Sequence, residues 1–266
     1  MKYKALSIAG FDGSGGAGIQ ADLKTFSALE CYGMNVLTAL PVQNTCGVRN
    51  CYEIPLSSIR EQLEAIFDDI IPDSIKIGML FNSDIIEVVS NFLKINAKDI
   101  PIVLDPVMMA KNGNALLKID SVTALKELLI PITTIITPNI PEALELTGID
   151  TATYNNMPDI AHKLLALGPK AVLLKGGHLD EKTSNDLYLD CNKKTFWLES
   201  PRIDSRNVHG TGCTFSAAIA AYLAHKLELP EACKLAKTYL SGAIDAAKNE
   251  VIGKGYGSVH HFYNIW

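Results

Sequence analysis

The 266-residue sequence contains no long hydrophobic run, and this absence excludes a membrane span. No stretch approaches the roughly 18 consecutive apolar residues that a transmembrane helix needs. A basic surplus is missing as well: 24 Lys and Arg against 29 Asp and Glu leave a net charge of −5, unlike a general nucleic-acid binder. The amino terminus, MKYKALSIAGFDGSGG, holds too short an apolar core for a signal peptide. We therefore expect a cytoplasmic protein without nucleic-acid or membrane partners.

The sequence also lacks the spacing that marks cysteines as metal ligands. No CxxC pair occurs, and no histidine couplet completes a zinc site around Cys46 and Cys51. His178, His260 and His261 show no metal-binding spacing, so we expect structural roles for them. In a reducing compartment cysteines stay free thiols. We expect this of all six: Cys31, Cys46, Cys51, Cys191, Cys213 and Cys233.

Linkers, internal repeats and low-complexity segments are absent too, which favours a single domain over residues 1–266. Apolar runs alternate along the chain with helical patterns, and such alternation is typical of a parallel sheet covered on both faces. The runs lie at residues 4–9, 35–42, 74–80, 101–107, 134–139 and 171–178, and two long helices are expected at about 211–227 and 230–249. The predicted fold class is α/β, a three-layer α/β/α sandwich around a central, mostly parallel sheet. Residues 186–190 and 194–200 predict antiparallel or edge strands.

Polar and glycine residues gather where the predicted strands end. The set comprises Gly10, Asp12, Gln43, Gly78, Met79, Asp105, Asn139, Lys175 and Gly176. In an open α/β sheet, ligands bind at the carboxyl ends of the strands. These residues therefore predict a ligand site along that edge.

The segment His209–Thr214, HGTGCT, runs directly into the uncharged helical pattern FSAAIAAYLA. A glycine turn at a helix start leaves several backbone N–H groups unpaired, with the positive end of the helix dipole behind them. Phosphate is the anion that most often fills such a site. In that field Cys213 is expected to favour the thiolate. The alternative is a tight helix entry in which Cys213 is a small buried apolar residue.

Two other nucleotide motifs are incomplete or absent. Gly13-x-Gly15-x-x-Gly18 matches the dinucleotide fingerprint, which needs an acidic residue at the end of the second strand to hold a ribose. That predicted strand ends instead in Gln43, Asn44 and Thr45, without a carboxylate. No glycine run precedes Lys-Ser or Lys-Thr, so a Walker A loop is absent. Nicotinamide binding is therefore disfavoured, and any ATP phosphates must be held elsewhere.

Asn139-x-x-Glu142 lies at a strand end and enters a helix. A carboxylate there suits a magnesium ion held through its waters. The alternative is a common helix start, with Asn139 as N-cap and Glu142 in the first turn. Upstream, Ser58-x-x-Glu61 has the spacing of a capping box.

The strand-end polar residues form a set of their own. Asp105 before Pro106 could be a turn, and Lys175 a solvated strand end or a phosphate contact. Together with the HGTGCT turn and the Asn139–Glu142 motif, they indicate phosphoryl transfer, which depends on positioning and charge.

At this point a resemblance becomes specific. The segments that carry it run nearly end to end: AGFDGSGGAGIQADLKTFSALE, QNTCGV, KIGML, VLDPVM, TPNIPEA, LLKGGH, HGTGCTFSAAIAA and GSVHHF. They resemble the ribokinase superfamily and, within it, the bacterial hydroxymethylpyrimidine/phosphomethylpyrimidine kinases of thiamine biosynthesis. Cys213 stands where ribokinase itself has an aspartate base, as it does in the pyrimidine kinases.

The resemblance implies a ribokinase-like fold, ATP and Mg²⁺ as cofactors, a pyrimidine substrate and a homodimer. It implies that Gln43, Met79 and Val107 bind the pyrimidine, with Gly10 and Asp12 beside it, and that Gly210, Thr211, Gly212 and Lys175 hold phosphoryl groups. It further implies that the nucleotide is contacted by Asn139, Asp105, Lys175 and Thr211. The metal would be organised by Asp105 and, through water, by Glu142. Cys213 would be the base. The implied reaction phosphorylates 4-amino-5-hydroxymethyl-2-methylpyrimidine and then its monophosphate.

Two rival activities stay open. Some members of this subfamily phosphorylate pyridoxine-type rings at an equivalent hydroxymethyl group, which makes a pyridoxal kinase the nearer alternative. From a different class comes a cysteine-nucleophile hydrolase that uses Cys213 with His209. That activity requires His209 to face the sulfur across a glycine turn and a third residue to orient the ring.

Overall fold

The computed structural model describes residues 2–108, 120–179 and 182–266. Over these ranges the strands are β1 (Tyr3–Ala9), β2 (Cys31–Leu37), β3 (Ala39–Asn44), β4 (Gly47–Glu53), β5 (Ser74–Ile77), β6 (Ile102–Leu104), β7 (Ile135–Ile136), β8 (Ala171–Lys175), β9 (Asp186–Asp190) and β10 (Thr195–Leu198). Eight of them form one sheet in the order β10-β9-β8-β7-β6-β5-β1-β2. The strands from β8 to β2 in this order are parallel, whereas β9 and β10 pair antiparallel, as predicted for that region.

Helices cover both faces of this sheet. They are α1 (Gly18–Ala28), α2 (Leu56–Phe67), α3 (Ser83–Asn96), α4 (Asp120–Ala124), α5 (Ile140–Thr147), α6 (Met157–Leu165), α7 (Thr211–Ala224) and α8 (Leu229–Ala247). After α4, residues Leu125–Leu129 form a π-helical turn. No helix in the described part of the chain is both long and apolar enough to cross a bilayer.

Two hydrophobic clusters, one on each face, hold the layers together. Alternate residues of a strand point to opposite faces, so Leu6 and Ile8 of β1 join the cluster beneath α2, α3, α5 and α6. Ala5 joins the cluster beneath α1, α7 and α8. The predicted three-layer α/β/α sandwich is thereby confirmed.

The chain reverses its winding direction between β1 and β5. From β1 it moves through α1 to β2 on one side, and the strands from β5 onward extend to the other side. Ligands bind at such a reversal, outside the carboxyl ends of the strands. Gly10, Gly78, Asp105 and Lys175 all lie at that edge, at the ends of β1, β5, β6 and β8.

The prediction of one strand over residues 35–42 that places Gln43 at the edge of the main sheet is wrong. β2 ends at Leu37, and Gln43 belongs to β3, which pairs only with β4 in a separate two-stranded antiparallel sheet. The ladder shifts register between Val42 and Gln43. Pro41 also interrupts the run, since proline cannot donate to a central ladder.

The capping box predicted at Ser58 and Glu61 is also wrong. α2 begins two residues earlier, at Leu56, with Pro55 as the residue before it and no side-chain cap. Ser58 therefore lies inside the first turn of α2 and is not the residue before the helix that a capping box requires.

A buried ion pair joins the sheet to helix α1. Lys76 of β5 and Asp22 of α1 lie 2.8 Å apart, and neither side chain is exposed to solvent. Ser7 of β1 donates to the same carboxylate oxygen of Asp22 at 2.5 Å, while the other oxygen has no hydrogen-bond partner among the described residues. Burial by itself lowers the pKa of Lys76, but the nearby acidic groups, Asp22 first among them, and the hydrogen bond to Asp22 together outweigh it and raise that pKa above its usual value. Burial raises the pKa of Asp22, an effect that Lys76 and Ser7 oppose. Lys76 therefore remains protonated beside Asp22.

Asp22→Asn is expected to lower the free energy of unfolding by about 3–5 kcal/mol, because it leaves the Lys76 ammonium buried without a counter-charge. The matched control is Asp245→Asn, which breaks an exposed pair with Lys248 and is expected to cost less than about 1 kcal/mol. Urea unfolding of both variants measures the difference. Similar losses for the two variants would show that Asp22 does not compensate a buried charge on Lys76.

Candidate active site

The amino terminus of α7 begins with the glycine turn that the sequence predicts. Gly210 precedes the helix with φ +76°, and a Cβ there would lie 1.8 Å from the carbonyl oxygen of Gly16. Only glycine fits this left-handed, closely packed position. The N–H groups of Gly212 and Cys213 belong to the first turn and have no carbonyl within the helix to pair with. The turn is therefore able to hold an anion.

A buried ion pair faces this turn. The Lys175 ammonium lies 2.9 Å from Asp105 Oδ1, and the two side chains are 15% and 3% exposed. A Cβ on Gly212 would come within 3.2 Å of Asp105 Oδ2 and 3.4 Å of Lys175 Nζ. The structure thus brings Asp105, Lys175 and Gly212 together. Because Gly212 has no side chain, the backbone of the turn lies close to the two charged groups.

The charges around Lys175 keep it protonated. Burial alone lowers its pKa, but the carboxylates of Asp105 and Glu142 outweigh that effect and raise the pKa above the ordinary lysine value. Ser216 of α7 donates toward Asp105 Oδ2 at 3.5 Å and Thr137 toward Oδ1 at 3.4 Å. The result is a fixed cation beside the amino terminus of α7, a combination that suits a phosphate chain.

Asn139 and Glu142 form a complete capping box at the start of α5. The Asn139 side chain accepts a hydrogen bond from the Glu142 N–H at 2.9 Å, and the Glu142 carboxylate accepts one from the Asn139 N–H at 2.8 Å. Burial, together with a smaller contribution from the charge of Asp105, raises the pKa of Glu142 to about 7 against the opposing charge of Lys175. The helix-start alternative is therefore correct, and the same carboxyl group also lies within the charge cluster of Asp105 and Lys175.

The expectation that Cys213 favours the thiolate is wrong for the chain without ligand. Burial raises the pKa of this thiol to about 11. The charge of Lys76 and a hydrogen bond from the Gly18 N–H both favour the thiolate, but desolvation outweighs them. Cys213 itself is the third residue of α7 and belongs to its first turn.

His209 does not face Cys213. Its Nε2 lies 2.8 Å from Asp12 Oδ2, and no described hydrogen bond joins the ring to the sulfur. A nucleophilic cysteine needs a base in hydrogen-bond reach. This geometry speaks against the hydrolase alternative.

Three amides of the Gly13–Gly18 loop, those of Ser14, Gly16 and Ala17, are bound by the Asp12 side chain and are not presented to a ligand. Its Oδ1 accepts hydrogen bonds from the N–H and hydroxyl of Ser14, and its Oδ2 accepts from the N–H of Gly16 and of Ala17. Burial raises the pKa of Asp12, but the hydrogen bonds from His209 and Ser14 outweigh it and hold the pKa well below its usual range. A carboxylate of the chain thus occupies the place of a dinucleotide phosphate.

The residues expected around the pyrimidine come from several elements. Gly10, Met79 and Val107 follow β1, β5 and β6, and Gln43 lies in β3. A Cβ on Gly10 would meet the Met79 sulfur at 3.1 Å, and Thr38 donates to the Met79 carbonyl at 2.6 Å. Val107 follows Asp105 in a turn, with its N–H on the Asp105 carbonyl at 2.8 Å. Gln43 is half-buried in β3. The first residue of that strand, Ala39, lies beside Gly10, since a Cβ on Gly10 would lie 3.7 Å from it. No described contact joins Gln43 to the other members of this set.

Two residues around the site were missed by sequence reasoning. Lys76 lies in the matched KIGML segment, and a charged residue inside an otherwise apolar strand was the available signal. The second residue is Asp186, and each of its carboxylate oxygens has a partner. One accepts a hydrogen bond from the Gly176 N–H at 3.0 Å, and the other accepts one from the Lys237 ammonium at 2.7 Å. Asp186 thereby fixes the turn that follows Lys175, and no sequence pattern indicated this pairing.

The comparison with known proteins agrees with this geometry. The family model described as phosphomethylpyrimidine kinase matches residues 12–260. The hydroxymethylpyrimidine/phosphomethylpyrimidine kinase of Salmonella typhimurium is 45% identical over 267 residues, and the match covers 100% of both chains. The matched span includes every element that contributes to the charge cluster and to the α7 turn.

Solved structures extend the comparison to three dimensions. The crystal structure of phosphomethylpyrimidine kinase from Clostridium difficile superposes with a TM-score of 0.81 at 45% identity, covering 91% of this chain and 100% of the other. An ADP complex of Bacillus subtilis pyridoxal kinase gives a TM-score of 0.88 at 38% identity and covers 99% of each chain. The ribokinase-like fold is thereby confirmed.

The pKa of Glu142 predicts a pH-dependent stability. The folded chain binds an extra proton between pH 4.5, the ordinary pKa of the group, and about 7, so the free energy of unfolding falls as the pH rises through this window. Relative to Glu142→Gln, which stays neutral, the wild type should lose up to roughly 1.4 kcal/mol per pH unit there and no more above it. Urea unfolding at pH 5, 6, 7 and 8 measures the effect. Glu145→Gln, at an exposed position of the same helix, is the control, and parallel curves for wild type and Glu142→Gln would refute the assignment.

Proposed function

Since the chain belongs to the phosphomethylpyrimidine kinase family, we propose that it phosphorylates 4-amino-5-hydroxymethyl-2-methylpyrimidine and then the monophosphate, with ATP as the donor, in thiamine biosynthesis. The observation that carries this proposal is the buried Lys175–Asp105 pair against the amino-terminal turn of α7. A fixed cation and unpaired amides at one point suit a phosphoryl group in transfer better than any other ligand chemistry.

The proposed roles follow from this arrangement. Gly210, Thr211 and Gly212 hold the transferring phosphoryl group, and Lys175, with Asn139 nearby, contacts the phosphates of ATP. In the first step the hydroxymethyl oxygen forms a bond to the γ-phosphorus while the bond to the leaving oxygen of ATP breaks. The hydroxyl proton passes to the Cys213 sulfur, which accepts it as a thiolate and becomes a thiol. In the ligand-free chain this sulfur is a thiol at neutral pH, so it must first lose its own proton to solvent, and the charge of Lys76 and the Gly18 N–H favour that thiolate.

Asp105 and Glu142 fit a magnesium ion. Magnesium keeps several waters and binds through one or two carboxylates plus substrate phosphates, so a dense cluster of protein ligands is not needed. The two carboxyl groups are close enough for the charge of Asp105 to raise the pKa of Glu142, a repulsion that a cation relieves. When bound, the ion neutralises charge on the phosphates. We assign the Glu142 contact to a bridging water, since its Oε2 already accepts the Asn139 N–H.

The pyrimidine is proposed to lie between Gly10, Met79 and Val107, below the β3–β4 hairpin. The Gln43 amide both donates and accepts, which matches a ring nitrogen beside an amino group. Asp12 contributes by shaping the loop, because its two oxygens already accept five hydrogen bonds. The hairpin places Gln43 on an element that stands apart from the main sheet.

We also propose a cytoplasmic homodimer in which residues 1–266 form one kinase domain. All six cysteines are free, which supports a reducing compartment. The β3–β4 hairpin exposes Leu40, Val42 and Tyr52, and these apolar side chains support an interface with a second copy.

The activity itself is tested by ATP consumption with hydroxymethylpyrimidine and, in parallel, with pyridoxal. A higher kcat/KM for hydroxymethylpyrimidine is expected. The similarity to a pyridoxal kinase makes that ring the appropriate competitor. A higher kcat/KM for pyridoxal would replace the pyrimidine proposal with the pyridoxal kinase alternative.

Gln43→Ala is expected to raise the KM for hydroxymethylpyrimidine far more than the KM for ATP. A lost buried polar partner typically costs about 1–3 kcal/mol, or roughly 5- to 150-fold in binding. Steady-state kinetics with each substrate varied in turn measures the two constants. Asn44→Ala, at the exposed next position of the same strand, is the control. Equal rises in both KM values for Gln43→Ala would remove Gln43 from the pyrimidine site.

Cys213→Ala separates the two phosphorylations. The alcohol of the first step needs a base, which typically contributes about 10²–10⁴-fold, so this rate should fall by that order. The monophosphate is already anionic at neutral pH, so the second rate should change little. Both rates are measured on one purified variant, with circular dichroism to confirm the fold. Equal losses in the two steps would leave Cys213 as a packing residue of the turn.

A further inference from the structure

The chain leaves the sheet after Lys175 by way of a side-chain hydrogen bond. Lys175 is the last residue of β8, where its N–H donates to the Pro138 carbonyl at 2.9 Å and its partner across the ladder is Asp186 of β9. The ladder between β8 and β9 ends with this pair. The next N–H, that of Gly176, donates to the Asp186 side chain at 3.0 Å, and among the described hydrogen bonds this is the only one it makes.

Helix α8 fixes the orientation of Asp186. The residue is 2% exposed, and its second carboxylate oxygen accepts a hydrogen bond from the Lys237 ammonium at 2.7 Å. Lys237 also donates to the carbonyl of Ser184, two residues before Asp186. Because each oxygen of the carboxylate has its own donor, the side chain is held with one oxygen toward Gly176.

The backbone of the turn lies very close to the beginning of β9. A Cβ on Gly176 would lie 2.1 Å from the Asn185 carbonyl oxygen, and a Cβ on Gly177 would lie 3.1 Å from the Ser184 hydroxyl oxygen. Glycine allows this approach because it has no side chain. The path of the chain directly after Lys175 is therefore set by this contact and by the hydrogen bond to Asp186.

The Lys175 side chain leaves the backbone where this turn begins. Its ammonium lies 2.9 Å from Asp105 Oδ1, and a Cβ on Gly212 would lie 3.4 Å from it. No described hydrogen bond or ion pair joins Asp186 or Lys237 to Asp105 or to the α7 turn, so their geometric effect on the site passes through the backbone of Lys175. A misplacement of about 1 Å in a group that positions a reacting ligand typically costs about 10²-fold in rate.

We propose that Asp186 is a positioning residue for the phosphates of ATP: by binding the Gly176 N–H it fixes the turn after Lys175 and keeps the Lys175 ammonium beside the α7 turn. Lys237 holds the Asp186 carboxylate in place for this purpose. Well-packed apolar residues stabilise an interior as well as a buried ion pair does, so stability alone does not explain these two residues. The role of the nucleotide rests on the proposed function, but its binding is measured without turnover.

Two double variants separate the hydrogen bond from the ion pair. Asp186→Asn with Lys237→Met removes both charges and keeps a side-chain oxygen for the Gly176 N–H. Asp186→Leu with Lys237→Met removes the same charges and offers no acceptor. Asparagine and leucine branch at the same carbon, so the two variants differ mainly in that acceptor. Lys248→Met, at the exposed end of α8, controls for the loss of a lysine from this helix.

The first readout is calorimetric titration with AMP-PCP and MgCl₂, with circular dichroism and urea unfolding to confirm the fold. The variant with leucine should bind about tenfold more weakly than the wild type, because its Gly176 N–H has lost its partner, whereas the variant with asparagine and Lys248→Met should stay within about threefold. Equal affinities of the two double variants would overturn the proposal, and so would a wild type that does not bind AMP-PCP.

A single substitution supplies the same comparison if the variant with leucine does not fold. In Asp186→Asn alone, the Gly176 N–H and the Lys237 ammonium compete for one oxygen. AMP-PCP should therefore bind at least about threefold more weakly than to Asp186→Asn with Lys237→Met, in which that competition is absent. Equal binding to these two chains would overturn the proposal.

The second readout is the pair of KM values. The variant with leucine should raise the KM for ATP about tenfold and leave the KM for hydroxymethylpyrimidine within about threefold, while the variant with asparagine stays near the wild type in both. An equal rise in the two KM values would indicate a general loosening of the fold and contradict the positioning role. If AMP-PCP binding changes as expected in a chain whose wild type does not phosphorylate hydroxymethylpyrimidine, the proposed function fails while the positioning role stands.

Discussion

The structure depends on the close approach of the first turn of α7 to the carboxyl edge of the sheet. This turn carries the positive end of a helix dipole and unpaired amides, and it lies against Asp105 and Lys175 where Gly212 has no side chain. A buried cation and a helix amino terminus repel each other unless a negative charge lies between them. Asp105 supplies part of that charge, and an anionic ligand supplies the rest.

The same balance of charge extends through the layer beneath the site. Lys76 and Asp22 form a second fully buried pair under α1 and α7, and its ammonium also acts on Cys213. Buried ion pairs contribute little to stability in comparison with well-packed apolar residues, because both charges lose their hydration. Their presence in an otherwise apolar interior is therefore better explained by the electrostatics of the site.

The residues proposed for substrate selection and for phosphoryl transfer lie on separate parts of the fold. The proposed transfer groups lie after β6, on β8 and at the start of α7, all within the main sandwich. Gln43 lies on the β3–β4 hairpin, whose tip at Thr45 packs against the chain near Gly255 through two hydrogen bonds. Under the proposed roles, a change in this hairpin would alter which ring is accepted without displacing Lys175 or Asp105.

The sequence by itself determined the layers, the parallel sheet and the anion turn, because these follow from local patterns. Apolar runs alternate with segments of helical periodicity along the chain. A glycine-rich segment directly before an alanine-rich helical pattern is typical of a tight turn at a helix start. The strand ends at Gly10, Asp105 and Lys175 were correctly placed for the same reason. Asn139 and Glu142 were correctly identified as a helix start, since a capping box is a local motif of four residues.

Only the tertiary structure decided how distant groups act on one another. Residues 35–42 have the apolar character of one buried strand, but pairing with β4 divides them and moves Gln43 away from the main sheet. The helix position of Cys213 favours a thiolate, yet the burial that comes from packing α1, α7 and the sheet together outweighs it. His209 and Asp12 are 197 residues apart, and no local pattern indicates their hydrogen bond. Burial and long-range pairing depend on the completed fold, so the sequence could indicate which residues matter but not the energetic state in which the fold holds them.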